Sequence, residues 1–257
     1  QASSQIVFFN TGTSDSFLIH SRSKENIIID CADLKGRKAQ IDNSLIPYCL
    51  KNNIRQIDYL IISHPHSDHI SGISSVCQKL NVINLVISNK IITDSLYQSL
   101  IGINRKRINN IIIIQDTCTI RLKDSVLKFL HPDKKYQPEH LNNASLVVRW
   151  SQDQYDILFT GDIDHKAEEW LLAHYPEELR SEVLKVPHHG SKTGCSMHFL
   201  ECVEPMFAVI PAAKINRFNF PHNQTLSFLK QNYTRYFVTG SDGAVICTLK
   251  PDHAEIY

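Results

Sequence analysis

Ile57-Asp58-Tyr59-Leu60-Ile61-Ile62 runs directly into Ser63-His64-Pro65-His66-Ser67-Asp68-His69-Ile70-Ser71. The first six residues, rich in branched side chains, predict a buried strand. The strand ends abruptly in three histidines and an aspartate. Imidazole nitrogen and carboxylate oxygen are the ligands that zinc, manganese and iron share. On a tight loop at a strand end, His64 and His66 can converge on one cation, while Asp68 and His69 turn toward a second. A solvated loop that happens to be rich in histidine is the plainer alternative. Supporting pieces downstream argue against it. Asp162 ends the run Ile157-Leu158-Phe159-Thr160, and His188-His189-Gly190-Ser191 follows Leu184-Lys185-Val186.

The bulk numbers are those of an ordinary globular protein. Of 257 residues, 42% are hydrophobic and 21% charged, and 27 basic side chains face 26 acidic ones for a formal charge of +1. A protein that held duplex DNA by charge alone would be far more basic, so any nucleic-acid contact must be local to the site. Seven cysteines are scattered without a C-x-x-C pair, which argues against a complete disulfide framework and mildly for a reducing compartment. No stretch approaches the roughly 20 apolar residues of a membrane span. The chain begins almost at a strand, as a mature protein or an excised domain would.

Gln5–Phe9, Ser16–His20 and Asn26–Asp30 read as a meander broken by turn chemistry. Asp30 ends the third strand, a position from which an acid can orient a metal ligand; a turn aspartate is the plain reading. Pro47 suits the first turn of a short helix over 47–53. Helices are expected over Gly72–Leu80, Thr93–Ile101, Asp164–His174, Cys195–Val203 and Asn223–Asn232, with strands between them. Arg105-Lys106-Arg107 reads as a solvated turn. Strands in two groups with helices interleaved fit two sheets faced by helices in one domain. Two adjacent side chains on extended backbone point to opposite sides, so one of His188 and His189 is expected to bind metal. His188 is the expected ligand, with His189 facing substrate as a contact or proton donor.

H-x-H-x-D-H after an apolar strand is the signature of the metallo-β-lactamase superfamily, which this chain resembles. Together with Thr160-Gly161-Asp162, Leu184-Lys185-Val186-Pro187-His188-His189-Gly190-Ser191 and Asn216-Arg217-Phe218, in that order, the motif resembles the C-terminal metallo-hydrolase domain of the ComEC family of bacterial DNA-uptake channel proteins. The resemblance runs from about Ile6 to about Val245. It implies an α/β fold of the αββα sandwich type and two divalent transition-metal ions, Mn2+ or Zn2+. The expected metal ligands are His64, His66, Asp68, His69, Asp162 and His188, with Asp162 bridging the two ions. Two such ions would lower the pKa of a bridging water, polarise a phosphorus–oxygen bond and neutralise the leaving oxygen. Catalysis would then rest on Asp68, Asp162 and His189.

The resemblance further implies hydrolysis of a phosphodiester in DNA, specifically in the single strand not taken into the cell. The domain would lie on the extracytoplasmic side of the bacterial inner membrane. Its partners would be DNA and the remainder of its own membrane channel protein, with no direct insertion of this chain. Expected substrate contacts are Asn143, Ser191, Lys192, Asn216, Arg217 and His222, with Lys185 and Lys214 also flanking the motifs. Two elements depart from the family. D-V-G-Q-G-D appears as Asn10-Thr11-Gly12-Thr13-Ser14-Asp15, and N-R-Y-G-H-P appears as Asn216-Arg217-Phe218-Asn219-Phe220-Pro221. The lost histidine at Phe220 leaves three expectations open. His222 substitutes for it, or activity is weak, or the domain only guides DNA or packs on a channel. A small-molecule phosphodiesterase is the further alternative.

Overall fold

A computed structural model describes residues 3–32 and 40–257. Nearly every branched apolar run becomes a strand, and the strands collect into two sheets. The first contains β1 (Ser4–Phe8), β2 (Ser16–His20), β3 (Asn26–Cys31), β4 (Gln56–Ile61), β5 (Asn81–Ser88) and β6 (Ile108–Ile114). The second contains β7 (Cys118–Arg121), β8 (Val126–His131), β9 (Val147–Gln152), β10 (Tyr155–Phe159), β11 (Val183–Lys185), β12 (Phe207–Ile210) and β13 (Arg235–Val238). β14 (Val245–Leu249) and β15 (Ala254–Ile256) return to the first sheet, giving the orders β15-β14-β1-β2-β3-β4-β5-β6 and β13-β12-β11-β10-β9-β8-β7. β3 to β6 are mutually parallel, as are β10 to β13.

Three apolar layers hold the sandwich together. Between the sheets lie Ile6, Phe8, Phe17 and Ile61 from one side and Phe129, Trp150, Ile157 and Phe159 from the other. Phe8, Phe17 and Phe159 meet with centroids 5.2 to 5.8 Å apart, each buried ring contributing about 1.5–3 kcal/mol. Trp150 can be buried there because its Nε1 donates to Ser125 Oγ at 3.2 Å. Outside the first sheet, helices Leu45–Lys51 and Ile73–Lys79 cover Leu18, Ile28 and Leu60. Outside the second, helices His165–His174, Met197–Val203 and Asn223–Gln231 cover Leu158, Leu184 and Ile210. The result is the αββα sandwich expected from the resemblance.

Local chemistry explains most boundaries. Pro47 sits in the first turn of helix Leu45–Lys51, where its missing N–H costs nothing. Asp164 caps helix His165–His174 by accepting from Lys166 N at 2.9 Å. β15 and the four-residue helix Pro176–Leu179 were not expected, both being too short to show a period. Among the described residues no helix is long and apolar enough to cross a membrane.

Candidate metal centre

Parallel strands aim their carboxyl ends at one edge, and loops there can converge. Asp30 closes β3, Ser63–His69 follow β4, Asp162 follows β10, His189 follows β11, and Asp15 comes from the loop between β1 and β2. Gly161 lets these loops close up. It has φ +55, and a Cβ there would lie 2.7 Å from Ser145 and 3.1 Å from Ser63.

Asp68, His69, Asp162 and His189 each bring one ligand atom within 4.8 Å of the others. His69 Nε2 lies 3.3 Å from Asp162 Oδ2. His189 Nε2 lies 3.4 Å from the same oxygen and 3.5 Å from Asp68 Oδ2. On the far side of each ring a fixed acceptor takes the Nδ1 proton. Asp30 Oδ2 accepts from His69 Nδ1 at 2.8 Å, and the Pro211 carbonyl accepts from His189 Nδ1 at 2.8 Å. Asp30 is itself held by Ser63, whose N donates at 2.8 Å and whose Oγ donates at 2.6 Å. Both Nε2 atoms are buried without a hydrogen-bond partner. Buried nitrogens are normally satisfied. Two orphaned Nε2 atoms, tautomer-fixed and aimed at shared carboxylates, are the donor set that a divalent transition metal fits.

The electrostatics agree with that arrangement. Burial opposes the charged form of His69, but Asp162, Asp30 and Asp15 outweigh it and raise the imidazole well above its ordinary value. His189 is raised likewise, burial being overcome by Asp162 and Asp15. Burial would raise Asp162, yet His189, His69 and Lys185 hold it well below the carboxylate range. Lys185 is fully buried behind the cluster, 2.6 Å from Asp15 Oδ2 and 3.2 Å from Asp162 Oδ1, and donates to the Gly161 carbonyl at 2.7 Å. The contact with Asp15 is an ion pair only, since neither Asp15 oxygen accepts a well-directed hydrogen bond. Asp15, Asp30 and His69 also converge, but there Lys185 already supplies the positive charge.

The structure sorts the expected residues. Asp68, His69 and Asp162 come together. His64 adjoins them, its ring centroid 4.0 Å from that of His69, and its Nε2 lies 3.1 Å from His66 Nδ1, so these two histidines meet each other. His188 lies outside the group whose ligand atoms converge: its ring nitrogens meet Thr193 Oγ1 at 3.2 Å and Asn142 Nδ2 at 3.4 Å, and His189 takes the inward position. Extended backbone was the mistaken premise. Both residues are left-handed, with φ 47 and 52, so alternation does not apply.

The expected substrate contacts divide. Asn143 is buried and ties down Asp164, donating at 2.7 Å and accepting from Asp164 N at 2.9 Å. Asn216 staples its own turn, donating to the Ala213 and Phe220 carbonyls and accepting from Phe218 N and Phe220 N. In both residues the amide is already engaged with backbone or carboxylate, so each holds its own loop in place. His222 accepts from Lys192 N at 2.9 Å and stands edge-on to Phe220 at 5.2 Å, outside the metal-competent group. Ser191 Oγ pairs with Thr193 Oγ1 at 2.9 Å. The Lys192 and Arg217 side chains are exposed at the rim, whereas Lys185 is internal and cannot reach an external phosphate. Asp15, which joins the cluster from the loop after β1, is marked in the sequence only as the last aspartate of the element that resembles D-V-G-Q-G-D. A single lysine inside the apolar run of β11 was the available signal for Lys185.

Residues 10–212 match the family described as the metallo-beta-lactamase superfamily. ComE operon protein 3 of Bacillus subtilis is 28% identical over 201 residues, 78% of this chain and 26% of that protein. Competence protein ComA of Neisseria gonorrhoeae is 25% identical over 242 residues, 93% of this chain and 31% of that protein. The chain thus spans about a quarter to a third of these curated relatives. Among solved structures, the metallo-beta-lactamase fold protein YhfI of Bacillus subtilis superposes with a TM-score of 0.62 at 11% identity, covering 93% of this chain and 98% of that one. Fold, convergent ligand atoms and sequence match agree, and the chain belongs to the metallo-beta-lactamase superfamily.

Proposed function

We propose that this chain is a metal-dependent phosphodiester hydrolase acting on DNA, corresponding to the C-terminal metallo-hydrolase domain of a ComEC-type uptake protein. The observation that carries the chemistry is the pair of orphaned Nε2 atoms, on His69 and His189, aimed at Asp162 and Asp68. Asp68, His69, Asp162 and His189 would hold one divalent ion, with His64, His66 and Asp162 beside them for a second. Such ions supply Lewis acidity and an activated water at neutral pH. This chain's own residues do the rest. Asp30 and Pro211 fix the two imidazole tautomers, Lys185 holds Asp162 from behind, and Lys192 and Arg217 offer positive charge where a phosphate enters. The DNA assignment draws on the competence relatives, whose similarity covers 78% and 93% of this chain. In that reading the substrate is the strand that is not transported, on the outer side of the inner membrane, and the partner is the rest of the channel protein.

Purified protein loaded with manganese or zinc is expected to cut single-stranded oligonucleotides and to lose that activity in Asp162→Ala. Cleavage of a chromogenic diester but not of DNA would transfer the assignment to a small-molecule phosphodiesterase. Bound metal with no cleavage of either DNA form would refute the nuclease reading. One observation favours the rival reading, a domain that guides DNA without cutting it. Phe220 places a phenyl ring 5.6 Å from the His188 ring and 6.2 Å from the His189 ring, where the resembling element has histidine. Phe220→His separates the two readings, because it raises cleavage only if a missing proton donor or ligand limits the site.

A further inference from the structure

Beside the cluster, four side chains form a column that reaches solvent. The His189 ring faces Phe220 with planes 28° apart and centroids at 6.2 Å. Phe220 in turn stacks on Phe218, 22° apart at 5.2 Å. The Arg217 guanidinium lies 4.5 Å from the Phe218 centroid. Burial falls along the column, from His189 at 1% exposed through half-buried Phe220 to Phe218 at 47%. Ile215, in the same loop, is 91% exposed. Two large apolar side chains held out to water beside a candidate catalytic site are unlike ordinary core packing.

The backbone fixes this posture. Asn216 bonds both Phe218 and Phe220 through its Oδ1 and the Phe220 carbonyl through its Nδ2. Asn219 adopts φ +57 between the two phenylalanines, a conformation that asparagine tolerates better than most residues. On the other side, Gly190 has φ +79, and a Cβ there would lie 2.6 Å from Pro221 Cβ. The aromatic loop is therefore clamped to the loop that carries His189.

We propose that Phe218, with Arg217, is a stacking platform that positions a nucleobase of a single strand next to the scissile phosphate. This rests on the phosphodiester reading above and adds what part of the nucleotide the protein grips. Aromatic faces bind bases of any sequence, and an arginine plane both stacks on a base and pairs with a neighbouring phosphate. The near-parallel rings carry the Arg217 guanidinium on the outermost one, so the surface offered to a base is that plane with the Phe218 ring edge beneath it, two ring spacings from the ligand cluster. A chain with a formal charge of +1 has little non-specific attraction for DNA, so stacking would carry much of the contact. Duplex DNA, whose bases are already stacked on each other, offers no face to this platform.

The test is an abasic scan with a phosphorothioate oligonucleotide, which resists cleavage, in the presence of manganese. A single abasic residue is moved along the strand, and binding is read by fluorescence anisotropy. In the wild type, one position is expected to weaken binding by about 5- to 150-fold when its base is removed. Phe218→Ala should flatten the scan, while Phe218→Trp should keep the sensitive position. Unchanged melting of the two variants separates stacking from misfolding. A flat scan in wild type, with binding and cleavage of ordinary strands intact, overturns the platform and leaves the hydrolase reading standing. Absence of any strand binding by wild type overturns both.

Discussion

Lys185→Met removes a cation from the interior and leaves its neighbours in place. Lys185 is fully buried, 2.6 Å from Asp15 and 3.2 Å from Asp162, and Asp15 is fully buried too. Taking away one partner of a buried ion pair typically costs about 3–5 kcal/mol; here Asp15 would lose its nearest cation and keep only the more distant His189 and His69 rings, at 3.4 and 3.7 Å, with little water. For a chain of this size about 2–4 °C of melting temperature goes with each kcal/mol, so a drop of roughly 6–20 °C is expected in chelator. Methionine has similar length, so the loss is electrostatic and not a cavity. The control is Lys192→Met at the exposed rim, expected within about 0.5 kcal/mol of wild type. A double variant, Lys185→Met with Asp15→Asn, should be less destabilised than the sum of the singles, with a coupling of about 0.5–3 kcal/mol. The loss should also shrink at acid pH, since burial already pushes the Asp15 carboxyl up and its protonated form needs no cation. Additive singles, or a Lys185→Met loss no larger than that of Lys192→Met, would show that the buried pair is not what neutralises this end of the sandwich.

Metal binding should depend on His189 and little on His188: in isothermal titration with zinc, His189→Ala loses the tightest equivalent and His188→Ala keeps it, and the reverse order would mean that the inward ring is misassigned. Asp30→Asn, which weakens the hold on His69 Nδ1, is expected to lower metal affinity about 10–100-fold. Asp162→Ala, which removes an oxygen near both Nε2 atoms, should cost more, so equal losses count against this order. His131 gives a pH signature of its own. It is buried, donates from Nδ1 to the Ser145 carbonyl at 2.8 Å, and has its pKa lowered by that burial to about 4. The unfolded ring titrates near 6.5. The unfolded state therefore binds more protons between about pH 4 and about pH 6.5, and stability is present above that window and lost as pH falls through it, by about 3 kcal/mol in all. Denaturant titrations of His131→Asn should show a flatter dependence there; an unchanged slope removes His131 as the cause.

The sandwich was legible because its strands are branched apolar runs ended by glycine, asparagine, serine and proline, and because ligand types gather at strand ends. What stayed hidden was set by backbone hand and by partners far apart in sequence. The inward turn of His189 depends on two successive left-handed residues before Gly190, which no period in Val183–Ser191 announces. Asn143 looked like a substrate contact from its place before Ser145-Leu146-Val147, but Asp164, distant in sequence, occupies its amide. The aromatic column needed the turn that Asn216 staples, which a string of letters does not show.

The charge around the cluster explains how one end of the fold can carry so many acids. Asp15, Asp30, Asp68 and Asp162 surround His69 and His189, with Lys185 as the permanent cation. With both imidazoles raised by the surrounding carboxylates, the rings hold a second proton to higher pH than a free imidazole would, and each such proton offsets a carboxylate. The same Nε2 atoms are the ones aimed at Asp162 and Asp68, so a divalent ion that took the place of two such protons would leave the charge balance of the site unchanged. Metal affinity at such a site rises with pH, because the rings must release protons to become ligands. Lys185 takes no part in that exchange: it faces Asp162 Oδ1, while the two Nε2 atoms face Oδ2. One carboxylate is thereby anchored on one oxygen by Lys185, while the other oxygen faces both imidazoles.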